Sequence, residues 1–166
     1  MRKLILLMCM LSTQGCFYCD DVLPKAMSYT GNLLKINGYY YQIAYDNVIY
    51  NSHVMYANGV LLNMYGTENT VEEMDEYVRN QSKDSWAAKS KYNWGVFFIY
   101  DNTIRIHQLS GSYPHQEFIQ EGIILNDTTF KIMKFTFNGK AKKKDEIYHF
   151  RTFALKPDSM NVFIKY

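Results

Sequence analysis

The chain has 166 residues, of which 48% are hydrophobic and 16% aromatic, with 18 basic against 16 acidic side chains. Two of the positive charges, Arg2 and Lys3, sit at the amino terminus, so the rest is balanced; a near-neutral body of this kind excludes nucleic acid as an electrostatic partner. The cysteines are Cys9, Cys16 and Cys19, too few and too clustered for a disulfide-stapled scaffold.

In chain order, the first feature is the basic tip, the apolar run 4–11 and then Ser12-Thr13-Gln14-Gly15-Cys16. The run is far short of the ~20 residues a membrane-crossing helix needs, which fits a signal-peptide core. With small Gly15 before the cysteine, the segment resembles a bacterial lipoprotein signal. That resemblance implies cleavage after Gly15 and a diacylglyceryl group on the Cys16 sulfur. Thr13 and Gln14 depart from the usual leucine and small residue, as in the permissive signals of Bacteroidetes-type envelope lipoproteins. The implied protein is exported and lipid-anchored at the cell envelope, at the outer membrane, with the membrane as a partner through Cys16. A secreted protein with Cys16 as a plain thiol is the alternative. Asp20-Asp21 is similar to signals that send such lipoproteins to the cell surface.

Three parts follow: a signal over 1–15, a lipidated tether over 16–32 with Pro24 and Gly31, and one domain over 33–166. From Leu33 the chain is rich in aromatic and β-branched residues punctuated by short turn pairs, the grammar of strands. Asn58-Gly59 separates 53–57 from 60–65, Asp101-Asn102 separates 94–100 from 103–108, and Asn126-Asp127 separates 117–125 from 128–135. Each pair tolerates the positive φ of a tight hairpin. Further strands are expected over 33–45, 146–155 and 161–165. Trp94, Val96, Phe98 and Tyr100 alternate with Gly95, Phe97 and Ile99, so that strand is apolar on both faces and is expected under a cover.

One segment breaks the β rhythm. Thr70-Val71-Glu72-Glu73 has capping-box spacing, and Val71, Met74, Tyr77 and Val78 form an apolar stripe, predicting a helix over 70–80. This helix is expected to pack across one barrel end, with 81–93 as a long connection. About eight antiparallel strands and one mid-chain helix predict an all-β meander closed into a barrel, which removes exposed edges; a two-sheet sandwich is the alternative.

The run Asn93-Trp94-Gly95-Val96-Phe97-Phe98-Ile99-Tyr100-Asp101-Asn102-Thr103-Ile104-Arg105-Ile106, followed by Glu121-Gly122-Ile123-Ile124-Leu125-Asn126-Asp127-Thr128-Thr129-Phe130, resembles small lipocalin-like lipoproteins of Bacteroidetes-type bacteria over about residues 33–156. The chain departs from true lipocalins in lacking a glycine-x-tryptophan on the first strand and in placing its helix mid-chain. Fold analogy alone does not carry a ligand.

The sequence contains no catalytic signature. His107 and His115 flank 110–114 without the further ligands of a zinc site, so no metal or cofactor is expected. His53 and His149 lie inside strand-like runs. Ser110-Gly111-Ser112 lacks a nucleophile-elbow frame. Glu117 and Glu121 on one strand face stand ~13 Å apart, too far for a glycosidase pair, and are expected at the surface. Lys140 with Lys142, Lys143 and Lys144 is expected as a solvated hairpin tip. Arg151 is a candidate polar handle in a pocket or a snorkelling surface cation. Tyr39, Tyr40, Tyr41, Tyr45, Tyr50 and Tyr56 suit barrel walls or a binding surface. The expected function is a non-catalytic, lipid-anchored accessory domain contacting an envelope protein or glycan. The alternative is a carrier of a small apolar ligand in a cavity lined by residues such as Trp94, Phe98 and Ile106.

Overall fold

A computed structural model describes residues 23–44, 47–81, 85–111 and 116–165. Cys16, Cys19, Tyr45 and His115 lie outside these residues. Eight strands close in sequence order into one antiparallel barrel: β1 (Gly38–Ile43), β2 (Ile49–Met55), β3 (Val60–Glu68), β4 (Trp94–Tyr100), β5 (Thr103–Leu109), β6 (Glu117–Asn126), β7 (Thr129–Phe137) and β8 (Lys140–Thr152), which pairs back onto β1. The fold is therefore the expected lipocalin-like meander barrel and not the two-sheet sandwich. Among the described residues, no helix is long and apolar enough to cross a membrane.

The turns explain the register. Gly59 (φ 81°) and Asp101 (φ 52°) adopt the left-handed conformation at two expected bends. A Cβ on Gly59 would also lie 2.1 Å from the Met27 carbonyl oxygen, so no larger residue fits. The third bend falls at Asp127–Thr128, one residue beyond the expected pair. A fourth, Asn138-Gly139 (φ 52° and 69°), joins β7 to β8. The cationic residues Lys140 to Lys144 consequently form the start of β8 and not a hairpin tip.

Strand alternation sorts side chains into two cores. The inner one holds Tyr40, Met55, Leu61, Phe97, Ile104, Ile106, Ile124, Phe130, Ile132 and Tyr148, drawn from every strand. The outer one covers β1 to β4 and includes Tyr39, Val54, Leu62, Met64, Trp94 and Val96. Helix α1 (Val71–Asn80) buries Met74 and Val78 in this outer cluster; it lies along the barrel wall, not across an end. The capping box forms as expected, with the Glu73 amide donating to Thr70 Oγ1 (3.1 Å) and the Thr70 amide to Glu73 Oε2 (3.2 Å). Asp75 fastens the helix to the wall by accepting from Tyr39 Oη and from Arg151 Nη2, both at 2.8 Å. Arg151 is thus a clamp on the outer face, not a handle inside a pocket.

The 81–93 connection is described at 81 and 85–93. It contains α2 (Trp86–Lys89) and a 3-10 turn, Lys91–Asn93. Asn93 Nδ2 and Trp94 Nε1 donate to the Ala87 and Ala88 carbonyls at 3.1 and 2.8 Å. This is the cover over doubly apolar β4. Residues 161–165, expected as a strand, instead turn about Asn161, whose Oδ1 accepts from the Phe163 and Ile164 amides, and Ile164 joins the outer core.

One end of the barrel is plugged. Tyr29, Leu34 and Ile36 pack into the inner core there. The Tyr29 ring meets Phe97 edge-on at 5.9 Å, its amide donates to the Ala57 carbonyl (2.7 Å) and its hydroxyl accepts from the Leu34 amide (2.8 Å). The Tyr40 hydroxyl donates to the Lys35 carbonyl at 2.9 Å. Lys156 donates to the carbonyls of Ile36 and Met55. The described part of the expected tether therefore docks on the barrel, Ala26 also bonding Lys165 (3.0 Å).

Candidate functional site: a polar and aromatic cavity at the open end

At the opposite end, the strands enclose a cavity of about 420 Å³. Its walls come from strand segments remote from the plug: Gln42 at the end of β1, Tyr50 and Asn51 at the start of β2, and Tyr65 on β3. Phe118 and Gln120 on β6, Phe135 on β7 and Lys144 and Glu146 on β8 complete the ring, with Tyr148 beneath.

Bulges shape this end. The β2–β3 ladder shifts between Tyr50 and Ser52, and Asn51 takes φ 50°, which turns Tyr50 and Asn51 both toward the cavity. Further shifts fall at Tyr41/Gln42, Glu121/Gly122 and Ile132/Lys134. Such irregularities re-aim side chains at barrel rims. Gly95 makes a second kind of room. A Cβ there would lie 2.6 Å from Gln108 Cγ, so only glycine lets Gln108 lie inward across β4.

Below the cavity the interior holds a rank of aromatic rings. Tyr148 stacks on Phe130 at 4.9 Å and on His53 at 4.8 Å, the latter inclined by 17°. Burial drives the Tyr148 phenol well above its ordinary range, and the Glu146 carboxylate pushes it the same way. Burial lowers His53 to about 4, only partly offset by Asn63 and the Ser52 backbone, so the imidazole is neutral at neutral pH. Lys144 and Glu146 pair with each other at 2.5 Å, leaving the cavity without net charge from that couple.

The cavity's distinguishing property is what its polar groups lack. Among the described residues, Gln42 Oε1, Asn51 Oδ1 and Gln120 Oε1 on the cavity lining, and both amide atoms of Gln108 beneath it, are buried without a hydrogen-bond partner. His53, Asn63 and Gln108 are 2% exposed or less. The ladder sets them on the inner face: His53 lies opposite Tyr40 and Asn63, Gln108 opposite Gly95 and Phe118, and Gln120 opposite Ile106. Folded proteins leave few such groups unpaired, because each costs about 1–3 kcal/mol.

Other sequence candidates are placed elsewhere. Trp94 and Phe98, expected to line a ligand cavity, belong to the outer cluster, and Ile106 is core beneath the cavity. Glu117 lies at the surface of the wall, where it pairs with His107 Nδ1. Glu121 pairs with Lys134 (2.5 Å) and Arg105 (3.4 Å), which hold its carboxyl below the usual range. His149 stands 6.1 Å from the Tyr41 ring, away from His53 and His107. Among the described residues no cluster of histidine, cysteine and acidic side chains could hold a metal. The residues that sequence reasoning missed are the inward amides. Their signal was parity: Asn51 and His53 share a β2 face with Met55, Asn63 a β3 face with Leu61, and Gln108 a β5 face with Ile104 and Ile106.

No family model, curated protein or solved structure matches the chain. Its activity must be argued from this site alone.

Proposed function

We propose that this is a non-catalytic binding protein that holds a small molecule in the open end of its barrel, exported and anchored by lipid on Cys16. One observation carries the binding role: three side chains lining one cavity, Gln42, Asn51 and Gln120, each hold a buried amide oxygen with no hydrogen-bond partner among the described residues. A protein needing only a stable barrel would fill this end with apolar side chains, as it does the other. A guest with its own donors and acceptors removes the penalty. This differs from the apolar cargo that the fold resemblance implies, since the lining amides would be left unpaired against hydrocarbon.

The anchor rests on the first sixteen residues: the basic tip, the short apolar run and Gly15-Cys16. The segment leading from it meets the barrel at the plugged end, where Met27 abuts Gly59, so anchoring there leaves the mouth free. Nuclear magnetic resonance of the mature chain against a pool of small metabolites tests the binding role. The expected result is saturable shifts at Gln42, Asn51 and Gln120 that Gln120→Trp, which fills the cavity, abolishes. A folded barrel indifferent to the whole pool refutes it. Mass spectrometry of the native amino terminus tests the anchor, with an acylated Cys16 expected.

A further inference from the structure

Resting on that reading, we infer that the ligand is a neutral, polyhydroxylated small molecule, a saccharide of one or two pyranose rings. Three features of the cavity converge on this class.

The first is charge. Lys144 and Glu146 neutralise each other at 2.5 Å, and His53 carries no proton at neutral pH. A carboxylate or phosphate would find no uncompensated cation among the described lining residues, and an amine no uncompensated anion. Burying either without a counter-charge is costly.

The second is the kind of group left unpaired. Three of the orphan atoms are amide oxygens on residues that line the cavity, those of Gln42, Asn51 and Gln120, and an amide oxygen only accepts. The guest must therefore donate several hydrogen bonds. They must also leave it in several directions, because these oxygens belong to β1, β2 and β6, on opposite walls of the barrel. A planar heteroaromatic ring donates from two or three points on one edge. A pyranose carries hydroxyls around its whole perimeter, and each both donates and accepts.

The third is the surroundings of those amides. Tyr50, Tyr65, Phe118, Phe135 and Tyr148 stand among them, and Phe118 and Phe135 are 5.6 Å apart. Rings that flank hydrogen-bonding amides give apolar surfaces for the C–H faces of a sugar while its edges meet the amides. The volume, about 420 Å³, lies within the ~300–1,000 Å³ usual for small-molecule sites.

The test is titration of the full mature chain with galactose, mannose, N-acetylglucosamine, maltose and lactose, alongside adenosine and octanoate, followed by calorimetry and by the side-chain amide resonances. The expected result is saturable binding of at least one sugar that moves the Gln42 and Gln120 amide signals. Gln120→Leu, which keeps the side chain's length and removes its orphan oxygen, should weaken that sugar about tenfold; Asn51→Ala should do the same from the opposite wall. Binding of adenosine or octanoate in the cavity with no sugar binding overturns the saccharide assignment and leaves the binding function standing. No binding by any probe, with the barrel folded, overturns both.

Discussion

The two ends of this barrel are continuous stretches of the same strands, yet they obey different rules. At the plugged end, Tyr40 inserts among Phe130 and Phe150, with ring centroids 5.0 and 5.2 Å away, and its hydroxyl donates to a backbone carbonyl. Tyr29 likewise fills space with its ring and satisfies an amide with its oxygen. Toward the open end, Gln108 is buried as deeply, but its amide has no hydrogen-bond partner among the described residues. The first region is built for stability, and the second gives some of it up. Proteins usually make that sacrifice at functional sites.

The sharpest way to break the comparison is to hollow out the packed half. Phe130→Ala removes the ring that Tyr40 and Tyr148 both contact, and it should cost about 3–5 kcal/mol in a denaturant titration. A loss under 1 kcal/mol would mean that the plugged end is not the stabilising half.

Next in size is a pH effect from the boundary between the halves. In the unfolded chain His53 takes up a proton below about 6.5, whereas in the barrel it does so only near 4. Its contribution is therefore complete above about pH 6.5, is lost as pH falls from there toward 4, and changes no further below. The slope is about 1.4 kcal/mol per pH unit, giving a total of about 3 kcal/mol. Stability measured in the wild type and in His53→Gln should diverge over that window; parallel curves would show that the imidazole is not held neutral.

A smaller effect belongs to the wall and should leave both ends alone. Asp75→Ala frees Arg151 and the Tyr39 hydroxyl. Because the Arg151 side chain is 41% exposed, solvent screens its share, and a cost of about 1–2 kcal/mol is expected. Ligand affinity should not change, which separates a clamp on the helix from a part of the site.

The smallest effect on stability is the most informative. Gln108→Leu replaces an unpaired buried amide by an apolar side chain of similar length, and should leave stability within about 0.5 kcal/mol or raise it. A clear loss by thermal denaturation would show that the amide is already satisfied in the folded protein, and the contrast between the two ends would vanish.

Much of the fold was legible because it is written in local rules. Asn58-Gly59 and Asp101-Asn102 announce hairpins through the φ they tolerate, and Thr70 with Glu73 announces a helix start through its orphan amides. Asn138-Gly139 carried the same signal and was hidden only by the lysines that follow. The site was far less legible. Trp94 and Phe98 read as cavity walls, but in a strand apolar on both faces nothing local says which face turns inward. Conversely, Gln108 and Asn63 read as ordinary polar strand residues until their neighbours' parity is weighed.

The sequence by itself determined the strands, their order and the capped helix, since turn conformation, side-chain alternation and capping act over a few residues. Only the tertiary structure decided which faces point inward, that α1 lies on the wall, that residues 26–36 fasten onto one end, and that Gln42, Asn51 and Gln120 from three strands meet at the other. The physical reason is closure. When β8 pairs with β1, residues more than a hundred positions apart come to share one interior, and whether a buried amide has a partner depends on everything else that closure brings there.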